Sequence, residues 1–360
     1  MKEIEAPYEK YEKHISSLVF IGGFIFDNLT LQRVDFLFDN LVMILYLVIS
    51  GGGIILLNYY HEYPPQQSFF VRAEYLLPLF IQFTFGGLFS AFFIFYTRSA
   101  AFSSSWPFIL ILLFCFVGNE FFKERYQKIT FQVPIYFVAL FSFSIFFIPV
   151  LLKTMGAIIF ILSGFVSLLF IAIFSLVLLK VAPNQYRENK INLRKIILFI
   201  FVLINILYFS NLIPPIPLAL KESGIYYSID RVGGNYRIIE EKKKWYEPLL
   251  FFIPDAIDLE TGAPLYMFSS VFAPTDLNTR IIHDWQYFDN VADKWVSVTK
   301  ITFPIMGGRN DGYRGFSKKE NLFEGKWRVD VKTERNQIIG RIRFNIETKT
   351  SEVKLEEKIL

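Results

Sequence analysis

The chain has 360 residues, of which 53% are hydrophobic, 42 are phenylalanine and only 19% are charged, whereas soluble domains carry about 25% charged residues. That balance points away from a single water-soluble globule and toward a membrane protein of two or three structural units. The net charge of +4 divides into +3 over residues 1–220 (15 Lys and Arg, 12 Asp and Glu) and +1 over residues 221–360 (22 against 21), so no clustered basic face is expected and nucleic acid is excluded as a partner. The single cysteine, Cys115, lies in an apolar run, which leaves neither an intrachain disulfide nor a thiolate metal site.

Apolar stretches near the roughly 20 residues needed to cross a bilayer fall at about 15–32, 36–58, 76–96, 101–118, 129–152, 154–179 and 196–213. They predict a helical membrane domain of seven spans over residues 1–213. The first stretch is interrupted by Asp27 and Asn28 and has no small-x-small cleavage site after it, so it reads as an uncleaved anchor. Orientation follows from the basic residues between the spans. The N-terminal stretch and alternate loops carry 12 Lys and Arg, against Arg33, Arg98 and Lys153 on the opposite side. Cytoplasmic loops hold the excess, which puts the N-terminus inside and the C-terminal part outside the plasma membrane of a bacterial cell.

Phe26-Asp27-Asn28-Leu29 returns twelve residues later as Phe38-Asp39-Asn40-Leu41, with Arg33 and Asp35 between. Asp27, Arg33, Asp35 and Asp39 therefore form a polar cluster at the outer mouth of the first hairpin. Its plainest reading is a solvated interfacial turn with local Arg–Asp pairing. Gly86, Gly87, Ser90 and Ala91 place small residues at helical spacing, which suits close helix packing rather than a pore.

The last span ends in Asn211-Leu212-Ile213-Pro214-Pro215-Ile216-Pro217, a stiff extended exit. Residues 214–262 form a juxtamembrane linker. Within it, 225–230 and 235–240 flank Gly233-Gly234, a hairpin signal. Lys242, Lys243, Lys244, Trp245 and Tyr246 then form either a lipid-resting cluster or a solvated face. From 263 to 348 the pattern changes to short period-two runs at about 264–273, 280–288, 294–303, 326–332 and 337–346, which predicts a small antiparallel, immunoglobulin-like β-sandwich followed by a charged tail at 349–360.

On the run 280–288, Ile281, His283, Trp285 and Tyr287 share one face, and Ile282, Asp284, Gln286 and Phe288 the other. Four further runs accompany it: Phe272-Ala273-Pro274, Tyr313-Arg314-Gly315-Phe316-Ser317, Gly325-Lys326-Trp327-Arg328-Val329, and the return strand from Ile339-Gly340. Together these resemble a bacterial family known only as domain of unknown function 2914. The resemblance covers about residues 263–347, and some members of that family carry a multi-span region ahead of the domain. His and Trp two apart, an Arg…Ser-Lys stretch and Gly-x-Trp-x-Val all match the family pattern, whereas Tyr313 and Gly315 stand where Trp or Thr is usual. The resemblance implies no activity.

His283, Trp285, Tyr287 and Arg314 are the candidate ligand-binding residues, on the view that an aromatic row with one polar edge makes an open platform. A His283–Asp284 (or Asp289)–Ser317 hydrolase is disfavoured because Asp284 faces away from His283 and no nucleophile elbow is present. Trp327 shares a face with Val329 and Val331 and belongs to a core. Gly307-Gly308-Arg309-Asn310-Asp311-Gly312 precedes no helix and reads as a flexible loop. Asp255, Asp258 and Glu260 lack calcium-loop spacing, and His14, His61 and His283 are too scattered for a metal site. No cofactor is implied.

The expected protein is thus a multi-pass membrane protein presenting an extracytoplasmic sandwich that binds a ligand, with the lipid bilayer and an envelope protein or glycan as partners. A small-solute transporter and a membrane-embedded envelope enzyme remain as alternatives.

Overall fold

The computed structural model describes residues 22–31, 35–65, 68–99, 102–121, 123–241, 255–260, 262–274, 276–308, 311–347 and 355–360. Two compact units result: Met1–Thr97 with Trp106–Leu212, and Arg98–Ser105 with Ile213–Leu360.

The first unit is helical. Helix α1 is described over residues 22–30. It is followed by α2 (Leu37–Glu62), α3 (Ser68–Arg98), α4 (Phe102–Phe121), α5 (Ile129–Leu152), α6 (Ala157–Val181) and α7 (Pro183–Phe209), with a short 3-10 turn at Lys123–Gln127. Five of them, α2, the Leu76–Arg98 part of α3, α5, α6 and α7, are long and apolar enough to cross a membrane. The apolar part of α4, Ser105–Asn119, is shorter, and the start of the first predicted span lies outside the described residues.

Helix α6 shows why these helices suit lipid. Its buried stripe is Phe160, Ser163, Gly164, Ser167, Ile171, Phe174 and Leu178, rich in small residues, while Ile158, Phe165, Leu169, Phe170, Ile173 and Leu176 are exposed. Small residues inside and bulky apolar residues outside invert the pattern of a helix in water. A Cβ on Gly164 would come within 3.1 Å of Phe201 and 3.2 Å of Phe141, so the glycine lets α6 close onto α5 and α7. The small residues of α3 act in the same way. A Cβ on Gly87 would lie 2.6 Å from the Tyr46 ring, and one on Gly86 would lie 3.1 Å from Asn119 Nδ2.

The second unit is all β: β1 (Ala219–Tyr226), β2 (Ser228–Val232), β3 (Asn235–Glu241), β4 (Asp255–Asp258), β5 (Leu265–Phe272), β6 (Asn278–Asp289), β7 (Lys294–Met306), β8 (Tyr313–Lys319), β9 (Gly325–Thr333), β10 (Ile338–Glu347) and β11 (Leu355–Ile359). They form sheets of order β1-β5-β8, β4-β10-β9-β6-β7 and β11-β3-β2. Every pairing is antiparallel except β4 with β10. Strand β5 is buried nearly throughout. One of its faces meets the five-stranded sheet, through Ser269, while Phe268 joins Tyr226 of β1 and Ile229, Tyr236 and Ile238 of the β2–β3 hairpin in an apolar cluster.

The predicted hairpin forms, with Gly233 and Gly234 both at positive φ (60° and 94°), as a two-residue turn between right-twisted strands requires. Four strands escaped the pattern reading. Residues 349–360 are not only a charged tail, since β11 pairs with β3 from Leu355 to Ile359. Strand β8 was hidden because one of its faces carries Gly315 and Ser317 rather than large apolar residues. A Cβ on Gly315 would come within 2.6 Å of Phe303. The glycine loop after β7 is also held more firmly than expected: Gly307 N donates to Leu277 O (2.9 Å) and Gly308 N to Ala273 O (3.2 Å).

Candidate functional site

Strand β6 lies between β7 and β9, so its side chains project alternately toward the β1-β5-β8 sheet and away from it. On the inner face His283 Nε2 lies 2.7 Å from Ser269 Oγ of β5, and His283 Nδ1 lies 2.8 Å from Ser317 Oγ of β8. Trp285 Nε1 donates to the same Ser317 Oγ at 3.0 Å. The assignment that uses each hydrogen once has Ser317 accepting from Trp285 and donating to Nδ1, with His283 donating from Nε2 to Ser269. Phe303 and Phe344 meet the His283 and Trp285 rings edge-on. His283 and Trp285 are both 0% exposed. Burial pushes the His283 pKa down to about 3, so the imidazole is neutral.

This geometry corrects the expected open platform, because a ligand in solvent reaches neither ring. The Ser317–His283 pair is equally closed to substrate, and Asp284 projects to the opposite face. What the arrangement does is join the two sheets through a polar network whose hydrogen-bonding groups are satisfied. Tyr287 sits at the half-buried end of the row, packed on Phe323 (5.1 Å) and Trp327 (5.9 Å). Trp327 is core, as its pattern implied, and its indole donates to Phe323 O. Arg314 is not part of this group. From β8 it donates to Leu360 O at 3.3 Å.

The other face of β6 carries the feature that sequence reasoning missed. Strand register lines up Arg343, Arg328, Gln286 and Ser297 in one row across β10, β9, β6 and β7, and Arg341, Asp330, Asp284 and Lys300 in the next. Asp284 (2% exposed) accepts from Lys332 (2.6 Å), Gln286 (2.6 Å) and Ser297 (2.5 Å). Asp330 (1% exposed) accepts from Arg341 Nε (2.5 Å) and Nη2 (2.8 Å) and lies 3.3 Å from Lys332. Burial by itself would raise the Asp330 pKa, but the hydrogen bonds and charge of Arg341, with Lys332 and Arg328, hold it below the usual carboxylate range. Arg328 Nε donates to the neutral Gln286 Oε1 (2.8 Å), and its guanidinium lies 4.4 Å over Trp295.

The two carboxylates are thus covered and the cations ring them, so the near-neutral sum over residues 221–360 concealed a local basic surface. The signal was present in the alternation Lys326, Arg328, Asp330, Lys332 against Trp327, Val329, Val331.

In the helical unit, the described members of the expected interfacial cluster differ in exposure. Asp39 is buried (3% exposed) near the start of α2, Asp27 and Asp35 are half-buried, and Arg33 lies outside the described residues. A buried chain of polar side chains links the helices. Asn58 Nδ2 donates to Gln132 Oε1 (2.6 Å), Gln132 Nε2 to Tyr126 O (2.6 Å), and Tyr126 Oη to Asn119 Oδ1 (2.5 Å). Asn119 and Gln82 then exchange side chain-to-backbone bonds at 3.0 and 2.9 Å. Among the described residues no three His, Cys, Asp or Glu side chains converge on a common point.

Apolar helices followed by a mostly antiparallel β unit define a class of two-part chain, and part of its β unit matches a family model. The model of a protein family of unknown function (DUF2914) matches residues 278–346, from the start of β6 to near the end of β10, C-terminal to the helical region. No curated protein matches the chain. Among solved structures, Pseudomonas fluorescens alkylpurine DNA glycosylase AlkC bound to DNA containing an abasic site analog is similar at 10% identity and a TM-score of 0.23, covering 84% of this chain and 99% of that one. At that score the likeness carries no inference.

Proposed function

We propose that this is a multi-pass plasma-membrane protein whose C-terminal β unit is an immunoglobulin-like, extracytoplasmic binding module rather than an enzyme. The membrane assignment is carried by the inverted α6, which leaves large apolar side chains facing outward where only lipid satisfies them. Strand order supports the immunoglobulin-like reading. β1, β5 and β8 stand as A, B and E; β10, β9, β6 and β7 stand as G, F, C and C′; and β4 runs parallel to β10 as a split first strand. A fully buried tryptophan on the C-equivalent strand, here Trp285, is a hallmark of that sandwich.

With the inner face of β6 sealed, binding belongs to the outer face of the five-stranded sheet, and an envelope partner or glycan is the kind of ligand it would meet. The basic excess in alternate loops supports a module on the outer side. A reporter pair fused after Leu360, alkaline phosphatase for the outside and a fluorescent protein for the inside, tests this. Phosphatase activity is expected, and fluorescence without phosphatase activity would reverse the orientation.

A further inference from the structure

Among the described residues, the outer sheet face carries more cations than the two buried acids at its centre pair with. Lys332 and Arg341 are taken up by Asp284 and Asp330. Arg328 spends one donor on a neutral amide. Arg343, directly opposite it in register, is exposed, and the two guanidinium groups repel each other. Lys300 is exposed at the edge of the next row, and Lys326 lies 5.6 Å over the Phe288 ring. The exposed acid Glu347, with Asp258 beside it in register, lies four residues along β10 from Arg343. Like charges placed side by side cost stability unless an anion relieves them.

Two facing guanidinium groups present more donors, in more directions, than one planar carboxylate accepts; a tetrahedral phosphate matches them better. Trp295 and Phe288, packed edge-on at 5.3 Å, border the cations. Aromatic rings beside Lys and Arg are the composition of a membrane–water interface. The face is a sheet surface, suited to a headgroup presented from a plane. Only nine residues, 210–218, separate the end of α7 from the start of β1. Fully extended they reach about 30 Å, which keeps the domain where phospholipid is the most concentrated phosphate.

We infer that Arg328 and Arg343, flanked by Trp295, form a binding site for the phosphodiester headgroup of an anionic phospholipid, with Lys300 and Lys326 at its perimeter. The inference rests on the membrane reading above and gives its binding face a ligand.

The test uses the full chain in nanodiscs of phosphatidylcholine alone or of phosphatidylcholine with phosphatidylglycerol, and amine acetylation read by mass spectrometry. Lys300 and Lys326 are expected to be protected severalfold by phosphatidylglycerol at low salt, while Lys318 and Lys358 on other sheets are not. Arg343→Glu, at an exposed position, should abolish that protection. Equal acetylation in both discs, or protection that persists in Arg343→Glu, overturns the site. Equal protection by inorganic phosphate in phosphatidylcholine discs overturns the lipid assignment in favour of a soluble anion. The reporter result is independent of all these outcomes, so a failure here leaves the membrane reading standing or falling on its own test.

Discussion

His283 is neutral because the interior excludes the charge, and that has a pH signature. Its folded pKa, about 3, lies below the 6.5 of the free side chain, so the unfolded chain binds the extra proton between those values. Stability is therefore full above pH 6.5 and is lost as pH falls toward 3, by about 1.4 kcal/mol per pH unit for this one group. His283→Asn should remove that slope. Unfolding of the full chain in detergent, followed by tryptophan fluorescence at several pH values, compares the two. Parallel pH curves would show that His283 does not titrate in this way. The rings chosen from sequence as a ligand platform are thus better understood as a bolt between sheets.

The outer face of the five-stranded sheet lets buried and exposed ion pairs be compared. Asp330→Ala leaves Arg341, whose side chain is only 14% exposed, without its anion, while Lys332 keeps Asp284, and should cost about 3 kcal/mol. Glu334→Ala removes a pair whose side chains are 65% and 58% exposed, and should change stability by less than about 0.5 kcal/mol. Denaturant midpoints measure both; equal effects would mean that Asp330 is not the covered anion of a closed ion-pair network. The turns separate in the same way. A Cβ at Gly307 would lie 1.6 Å from Pro274 O, so Gly307→Ala should cost about 2 kcal/mol by forcing the backbone apart. Gly233 has open space around it and needs only its positive φ, so Gly233→Ala should cost about 1 kcal/mol. Reversal of that order, read from the same midpoints, would contradict the pinned loop.

For the molecule as a whole, Leu169 is the sharpest probe. It sits at the centre of α6 and its side chain points outward. Leu169→Arg should disfavour insertion by about 2.5–3.5 kcal/mol and lower the alkali-resistant membrane fraction of the full chain. An unchanged fraction would mean that α6 does not face lipid.

Much was legible in the chain itself. The apolar helices, the Gly233-Gly234 turn, the five long strands and the core role of Trp327 all follow from local spacing, because apolar period and turn chemistry act over a few residues. Strands β1, β4, β8 and β11 were not legible. In β8, the inward residues are shaped by Phe303 and His283, which arrive from elsewhere in the sequence. Alternation along β6 established which residues share a face, and so paired His283 with Trp285 and separated Asp284. Only the tertiary structure decided what covers each face. The serines of β5 and β8 sealed the first, and cations from β9 and β10 closed over the acids of the second. A period of two is a property of one strand, whereas burial is set by the neighbours that strand acquires.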